Sequence, residues 1–413
     1  MNTDVWRIIY IRLASTLPAT GALAGCLGGK LGRSPIQLGA VLPLSADGFL
    51  GTVAEHHQRA IEQAVTDVNQ EGGPLGREIE LTVEDTALDP KQAKDALKTL
   101  SDVGVIGFVG PVVTDIAMVL AEELPNKDIF AVSPSSTHPA LATAGLSNGT
   151  KFFGRTAAND IQQALVMAKV LNSDRYVGVE SVATLYVDNS FGAGLADTIE
   201  SNVSGDVVAS VPFPTGRETY SMEIKKIVES GADAVAFASE SGNTTVLEAL
   251  VESSYEGEYV LSEGLLPSEI PPHMDGMYSA SVAATNTTGA IELEQKLRDI
   301  APLAAYTQQA YDGLFLMALA MESAGEASAT AISNNLVSVS GGRGQTVSVD
   351  DFERASTLID AGRDVNYQGA SSSVDLNANL EPLNAYIIEQ VDGGAITELE
   401  LLRSSFFEGK MEQ

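Results

Sequence analysis

Along most of the chain, short apolar runs alternate with stretches in which apolar residues recur every three or four positions. The first pattern predicts buried strands and the second predicts helices packed against them. Residues 36–42 (Ile-Gln-Leu-Gly-Ala-Val-Leu) read as a strand, and Ala60, Ile61, Ala64, Val65 and Val68 then keep helical spacing. Residues 78–83 alternate as a second strand, after which Asp89 and Pro90 supply the start signal of the next helix. Two units follow that share one arrangement, an apolar strand ending in small hydroxylated residues. Residues 105–114 lead into a helix over 115–124, and residues 129–137 lead into a second helical start at His138. A further series reads helix 159–171, strand 182–187, helix 191–201, strand 207–211, helix 220–230, strand 234–238, helix 244–253 and strand 259–262. Beyond Met277 come a strand over 278–284, helices near 291–300, 306–323 and 329–337, and a late strand over 385–391.

Repeated β-α units with short links imply parallel sheets covered on both faces by helices, so the expected fold class is α/β. The two series meet near residues 152–158, which suggests two similar lobes. In open parallel sheets the C-terminal strand ends face the ligand crevice. A helix N-terminus there offers unpaired N–H groups suited to an anion such as a carboxylate. Thr114, Ser135 and Thr137 stand at two such strand ends, although each could equally serve as a helix cap.

Size and charge narrow the picture. A chain of 413 residues, 44% hydrophobic, can bury a full core in two or three domains. With 55 acidic against 24 basic residues the net charge is −31, which disfavours nucleic-acid binding because phosphates would be repelled. The excess suits a solvated acidic surface of the kind that stays soluble in high salt, where self-repulsion is screened. No stretch downstream of the N-terminal segment reaches the ~18 consecutive apolar residues of a membrane-spanning helix, which excludes a polytopic membrane protein.

The single cysteine, Cys26, rules out an intramolecular disulfide and a cysteine-based metal site. Its setting, Leu23-Ala-Gly-Cys26, resembles a lipobox, in which the cysteine is lipidated and becomes the mature N-terminus. Residues 1–26 then form a lipoprotein-type signal segment and residues 27–35 a flexible tether. The pattern is imperfect: Arg7 and Arg12 are not adjacent, and Pro18 interrupts the apolar run. An unprocessed N-terminus with a free thiol stays open as an alternative.

Several short motifs then fall in order: Val68-Asn69 to Gly72-Gly-Pro-Leu-Gly76, Glu84-Asp85-Thr86, Gly110-Pro111 and Ser133-Pro-Ser-Ser-Thr137. Asp188-Asn-Ser-Phe-Gly-Ala-Gly194, Ala310-Tyr-Asp-Gly313 and Tyr367-Gln-Gly-Ala370 continue the series. Taken together over ~370 residues, they resemble the type I solute-binding proteins of ABC importers, in particular the leucine/isoleucine/valine-binding group. The resemblance implies two lobes, each a parallel sheet flanked by helices, joined by hinge crossovers. Lobe 1 would comprise 36–156 plus 281–384, and lobe 2 would comprise 157–280 plus 385–413.

It also implies a site. Thr114 would donate its hydroxyl to a ligand carboxylate, and Ser135 and Thr137 would offer main-chain groups and a hydroxyl. Phe191 would cover the ligand, Glu240 would face it, and Glu263 would pair with its ammonium. A zwitterion needs donors at one end and a carboxylate at the other, since either charge buried unpaired is costly. The implied protein is a lipid-anchored, non-enzymatic component at the extracytoplasmic face, capturing a branched-chain or similar amino acid, without cofactor, for ABC permease subunits. Two alternatives stand beside it: a ligand-sensing module docked to a signalling partner, and a site for an amide, urea or small carboxylate.

Other strings are weak. Gly145-Leu-Ser-Asn-Gly149 matches a nucleophile elbow, but with the strand and helix in reversed order. Gly192-Ala-Gly194 lacks the third glycine of a dinucleotide fingerprint. His56 and His57 are adjacent and point ~100° apart on a helix, so they cannot share a metal as i,i+4 residues do.

Overall fold

The strand Ile36–Leu42 (β1) is buried at nearly every position, as a strand covered by helices on both faces must be. In the computed structural model, which describes residues 33–240, 243–267, 269–283 and 287–411, β1 is flanked by four parallel partners. These are β2 (Ile79–Asp85), β3 (Gly107–Val109), β4 (Phe130–Ser133) and β5 (Phe153–Arg155), in the order β2-β1-β3-β4-β5. The helix Thr307–Ala324 packs on this sheet and is buried from Ala310 to Met321 around its whole circumference. A helix buried on every face is a core element, and here it carries lobe 1.

The second sheet holds β6 (Ser181–Val187), β7 (Asp206–Phe213), β8 (Ala234–Ala238), β9 (Glu258–Leu261), β10 (Tyr278–Val282), β11 (Tyr386–Asp392) and β12 (Ala395–Leu402). Their order is β12-β11-β10-β9-β8-β6-β7. The strands from β6 to β10 run parallel, whereas β10, β11 and β12 are antiparallel neighbours. That antiparallel edge departs from the expected purely parallel lobe. β12 escapes the periodicity because most of its side chains are exposed, so no buried face writes a pattern.

Separate hydrophobic clusters fill the two lobes, one running from Ile36 through Leu380 and two from Ala158 through Phe407 on either side of the second sheet. The chain passes between the sheets three times: after β5, after β10 and before β11. Buried polar groups stitch these passages together. Arg155 forms an ion pair with Glu381, both side chains almost wholly buried. Asn159 donates to the other Glu381 oxygen at 3.1 Å. Gln162 donates to the carbonyl of Pro382 at 3.0 Å and accepts from the amide of Asn384 at 2.9 Å.

Two of the sequence motifs turn out to be one structural device. Asp312 accepts from the Tyr367 hydroxyl at 2.7 Å and from the Ala370 amide at 2.8 Å. It also accepts from the amide and hydroxyl of Ser371, at 2.8 and 2.6 Å. A Cβ at Gly369 would lie 2.6 Å from an Asp312 carboxylate oxygen, so only glycine fits between them. Gly145-Leu-Ser-Asn-Gly149 is a tight antiparallel hairpin, with Asn148 and Gly149 both at positive φ. Such a turn has no nucleophile-elbow geometry. The helical start at His138 is a single turn, Pro139–Ala142, capped by His138 Nδ1 accepting from the Ala140 amide at 3.0 Å.

Candidate ligand-binding cleft

On the lobe-1 side, the loops after β3 and β4 brace each other through hydroxyls. Ser133 donates to the carbonyl of Pro111 at 2.7 Å, and Ser135 donates to that of Val112 at 2.7 Å. Thr137 donates to Asp160 at 2.9 Å. The protons of two predicted site hydroxyls, Ser135 and Thr137, are therefore already committed within the protein. Thr114 differs. It is the first residue of the helix Thr114–Ala121 rather than its cap, which is Val113. It is 6% exposed, and its hydroxyl makes no hydrogen bond to any described residue. An unpaired hydroxyl on a largely buried residue at a helix N-terminus is free to meet a ligand oxygen.

On the lobe-2 side, carboxyls gather. Glu263 follows β9, and the backbone at Val282 acts to lower its pKa. The residue keeps some exposure, yet its carboxyl is desolvated, and burial pushes its pKa up to about 7, with Glu389 adding to the rise. Asp160 opens the helix Asp160–Asn172. Burial pushes its carboxyl up to about 7 as well, against the pull of Thr137 and Arg155, and with Glu263 and Glu240 adding to the rise. Glu240, at the end of β8, is raised chiefly by burial. It accepts from the side-chain amides of Asn189 at 2.9 Å and Asn243 at 3.2 Å.

Two phenols complete the set. Tyr306, from lobe 1, and Tyr386, from β11, are both held well above the ordinary tyrosine range. Desolvation is the main cause, with the charges of Glu263 and Asp160 contributing to both. Arg155, the cation that acts on Asp160, is engaged elsewhere, by Glu381 and by the carbonyls of Ser136 at 3.2 Å and His138 at 3.0 Å. A cationic group brought by a ligand would relieve this unbalanced negative charge. Phe191 is partly buried and packs against both hydrophobic clusters of lobe 2.

The lobes touch across the cleft. The helix Ser190–Asn202 packs on Thr114–Ala121, and the Ser190 amide donates to Asp115 at 3.3 Å. Gly194 lies against the His138 ring so closely that a Cβ there would sit 2.4 Å from Cδ2. The two lobes are therefore in direct contact along this edge.

Sequence reasoning named Thr114, Ser135, Thr137, Phe191, Glu240 and Glu263. The fold adds Asp115, Asp160, Tyr306 and Tyr386. Asp160 carried one local signal, an acidic residue beside the Asn159 cap of a predicted helix. Tyr306 and Tyr386 carried none, because distant segments bring them in.

A family model described as periplasmic binding protein matches residues 35–358. The chain belongs to that family. It is a type I binding protein of the leucine/isoleucine/valine-binding group, an extracytoplasmic, non-enzymatic solute binder. The binding protein is 43% identical over 375 residues to the chemotactic signal transduction system substrate-binding protein BasB of Halobacterium salinarum, covering 90% of this chain and 91% of that one. It is 26% identical to a Leu/Ile/Val-binding protein homolog of Brucella melitensis, covering 70% of this chain and 79% of the relative. Its fold matches the branched-chain amino acid substrate-binding protein LivJ of Streptococcus pneumoniae, solved with isoleucine. That match has a TM-score of 0.69 at 16% identity and covers 89% and 99% of the two chains. A solute-binding protein of Rhodopseudomonas palustris, solved with p-hydroxybenzoic acid, matches with a TM-score of 0.70 at 17% identity over 90% and 98%. Cys26 and its lipobox-like setting lie outside the described residues. Among the described residues no cluster of three or more His, Cys, Asp or Glu is arranged to hold a metal ion, and no helix is long and apolar enough to cross a membrane.

Proposed function

We propose that this protein captures a neutral amino acid of the branched-chain type between its lobes and presents the closed form to a membrane-bound chemotactic transducer. The observation that carries the ligand class is the presence of Thr114, a largely buried residue whose hydroxyl has no partner, on the lobe-1 side and of the desolvated carboxyls of Glu263 and Asp160 on the lobe-2 side. One wall suits a carboxylate and the other an ammonium, and the two charges of an α-amino acid satisfy both. A simple aromatic acid would leave the lobe-2 carboxyls without a counter-charge.

The transducer is supported by the extensive similarity to BasB, whose name places it in chemotactic signalling. A binding protein needs no output region of its own when the transducer is a separate chain. Ligand binding shifts the population toward the closed form by the difference in its affinity for the two forms, and a partner that reads only that form receives the signal. We further propose that lipid attached at Cys26 tethers the protein to the membrane.

Calorimetric titration in high salt with leucine, isoleucine, valine, amides and short carboxylates tests the ligand class. Binding of carboxylates alone would refute it. Capture of membrane partners by the leucine-loaded protein tests the destination. Recovery of permease subunits instead of a transducer would assign the protein to import.

A further inference from the structure

His56 and His57 sit side by side on the helix Gly48–Gln70, His57 fully buried and His56 9% exposed. Each holds one backbone group of the same distant segment. The Ala304 amide donates to Nδ1 of His56 at 2.9 Å, and Nε2 of His57 lies 2.9 Å from the carbonyl oxygen of Ala305. A carbonyl only accepts, so His57 carries its proton on Nε2, and its Nδ1 is buried without a partner. Burial holds the His57 pKa down at about 4, which keeps the ring neutral. The Thr307 hydroxyl donates to the Ala304 carbonyl at 2.7 Å from the other side.

Between these anchored residues stands Tyr306, with φ 62 and ψ 15. A non-glycine residue in this left-handed region is strained and persists only where its surroundings hold it. Its phenol lies in the field of Glu263, Asp160 and Glu240, all from the opposite lobe. The strained residue is thus a lobe-1 group within the electrostatic reach of the lobe-2 carboxyls.

We propose that His56 and His57 are positioning residues for the ligand. By gripping the backbone of Ala304 and Ala305 they hold Tyr306 in its left-handed conformation and so fix the wall of the cleft opposite the carboxyls. The inference rests on reading the cleft as the ligand site. A purely structural role would need only apolar rings at these positions. Paired hydrogen bonds to consecutive residues instead set a backbone angle, and they do so directly before the residue that needs it.

The test is a double-mutant cycle with L-leucine as probe. His57→Phe keeps the ring volume and removes the donor, and His56→Phe removes the acceptor. Each is expected to weaken L-leucine binding about tenfold, a loss in the usual range for one buried hydrogen bond. His57→Gln, whose amide can donate to Ala305, should recover most of the affinity. In a Tyr306→Ala background the histidine substitutions should add less than about a twofold loss, because their effect passes through Tyr306. Equal losses in both backgrounds, or full affinity in folded single variants, would overturn the proposal. If the wild type takes up no L-leucine, the ligand reading fails and the positioning claim is judged separately. The fluorine resonance of 3-fluorotyrosine at position 306, assigned with Tyr306→Phe, should then shift in both histidine variants, and an unmoved resonance overturns the claim.

Discussion

Thr137 donates its hydroxyl to Asp160 at 2.9 Å, and the Asp160 amide returns a bond of 2.9 Å to the Thr137 carbonyl. A loop at the end of a lobe-1 strand is thereby fastened to the first turn of a lobe-2 helix. The pair joins the predicted hydroxyl side of the cleft to a carboxyl that sequence reasoning did not name. Its energetics depend on pH. The Asp160 carboxyl, ordinarily near 3.8, is raised to about 7 by burial, so between those values the folded protein binds the proton that the unfolded chain releases. Its contribution to stability is present below the unfolded value and is lost as the pH rises through about 7. Relative to Asp160→Asn, the ligand-free wild type should lose on the order of 2–4 kcal/mol between pH 4 and pH 8. Urea unfolding of both proteins across that range measures the difference, and parallel curves would show that Asp160 is not desolvated.

Glu263→Gln removes the charge assigned to the ligand ammonium. Affinity for a branched-chain amino acid should fall by about 2–4 kcal/mol, roughly 30- to 1000-fold. In the wild type, affinity should rise as Glu263 loses its proton near pH 7, since the charged carboxylate is the form that pairs. Calorimetry at pH 5.5 and pH 8 with both proteins checks the two statements together. A flat pH profile in the wild type, or an unaltered affinity in the variant, would place Glu263 outside the site.

Closure depends on the absence of a side chain at Gly194, which meets His138 across the cleft. Gly194→Ala should weaken ligand binding about tenfold through the collision in the closed form, and should leave the ligand-free protein as stable as the wild type. Small-angle scattering with and without ligand reads closure directly. A normal decrease in radius on ligand addition, with unchanged affinity, would show that the helices do not approach as described.

Arg155→Met leaves Glu381 buried without its cation and removes donors from the carbonyls of Ser136 and His138. Breaking a buried ion pair in this way costs about 3–5 kcal/mol. Chemical denaturation should report that loss. A loss below about 1 kcal/mol, the range of exposed pairs, would mean that water reaches the crossings.

A net charge of −31 is tolerable when salt screens it. Circular dichroism during dialysis from molar to millimolar salt should show loss of the folded signal. Full retention would indicate that self-repulsion is minor in this fold.

How much of this was legible beforehand varies with the kind of contact. The alternating units were readable because buried strands and amphipathic helices write their periods into local sequence, as in β1 and the helix Gly48–Gln70. The hydroxylated strand ends at Thr114 and Ser135 were readable for the same reason, and Glu263 through its place after a strand and through the family pattern. Asp312 and Gly369 appeared as two separate motifs, since their contact exists only after the loop bearing Tyr367 folds back. Tyr306 was read as part of a regular helix. Its left-handed backbone is imposed by His56 and His57, some 250 positions earlier, and no local pattern reports a long-range constraint of that kind.

The three passages between the lobes also decide when this protein can begin to work. The lobe-1 cluster is complete only once Leu380 is in place, and lobe 2 still needs Leu402 and Phe407. As the polypeptide emerges from N- to C-terminus, both halves stay unfinished until nearly its whole length is out. A partly delivered chain therefore lacks two finished lobes to face each other, and the cleft is completed only when the last strands join their sheet.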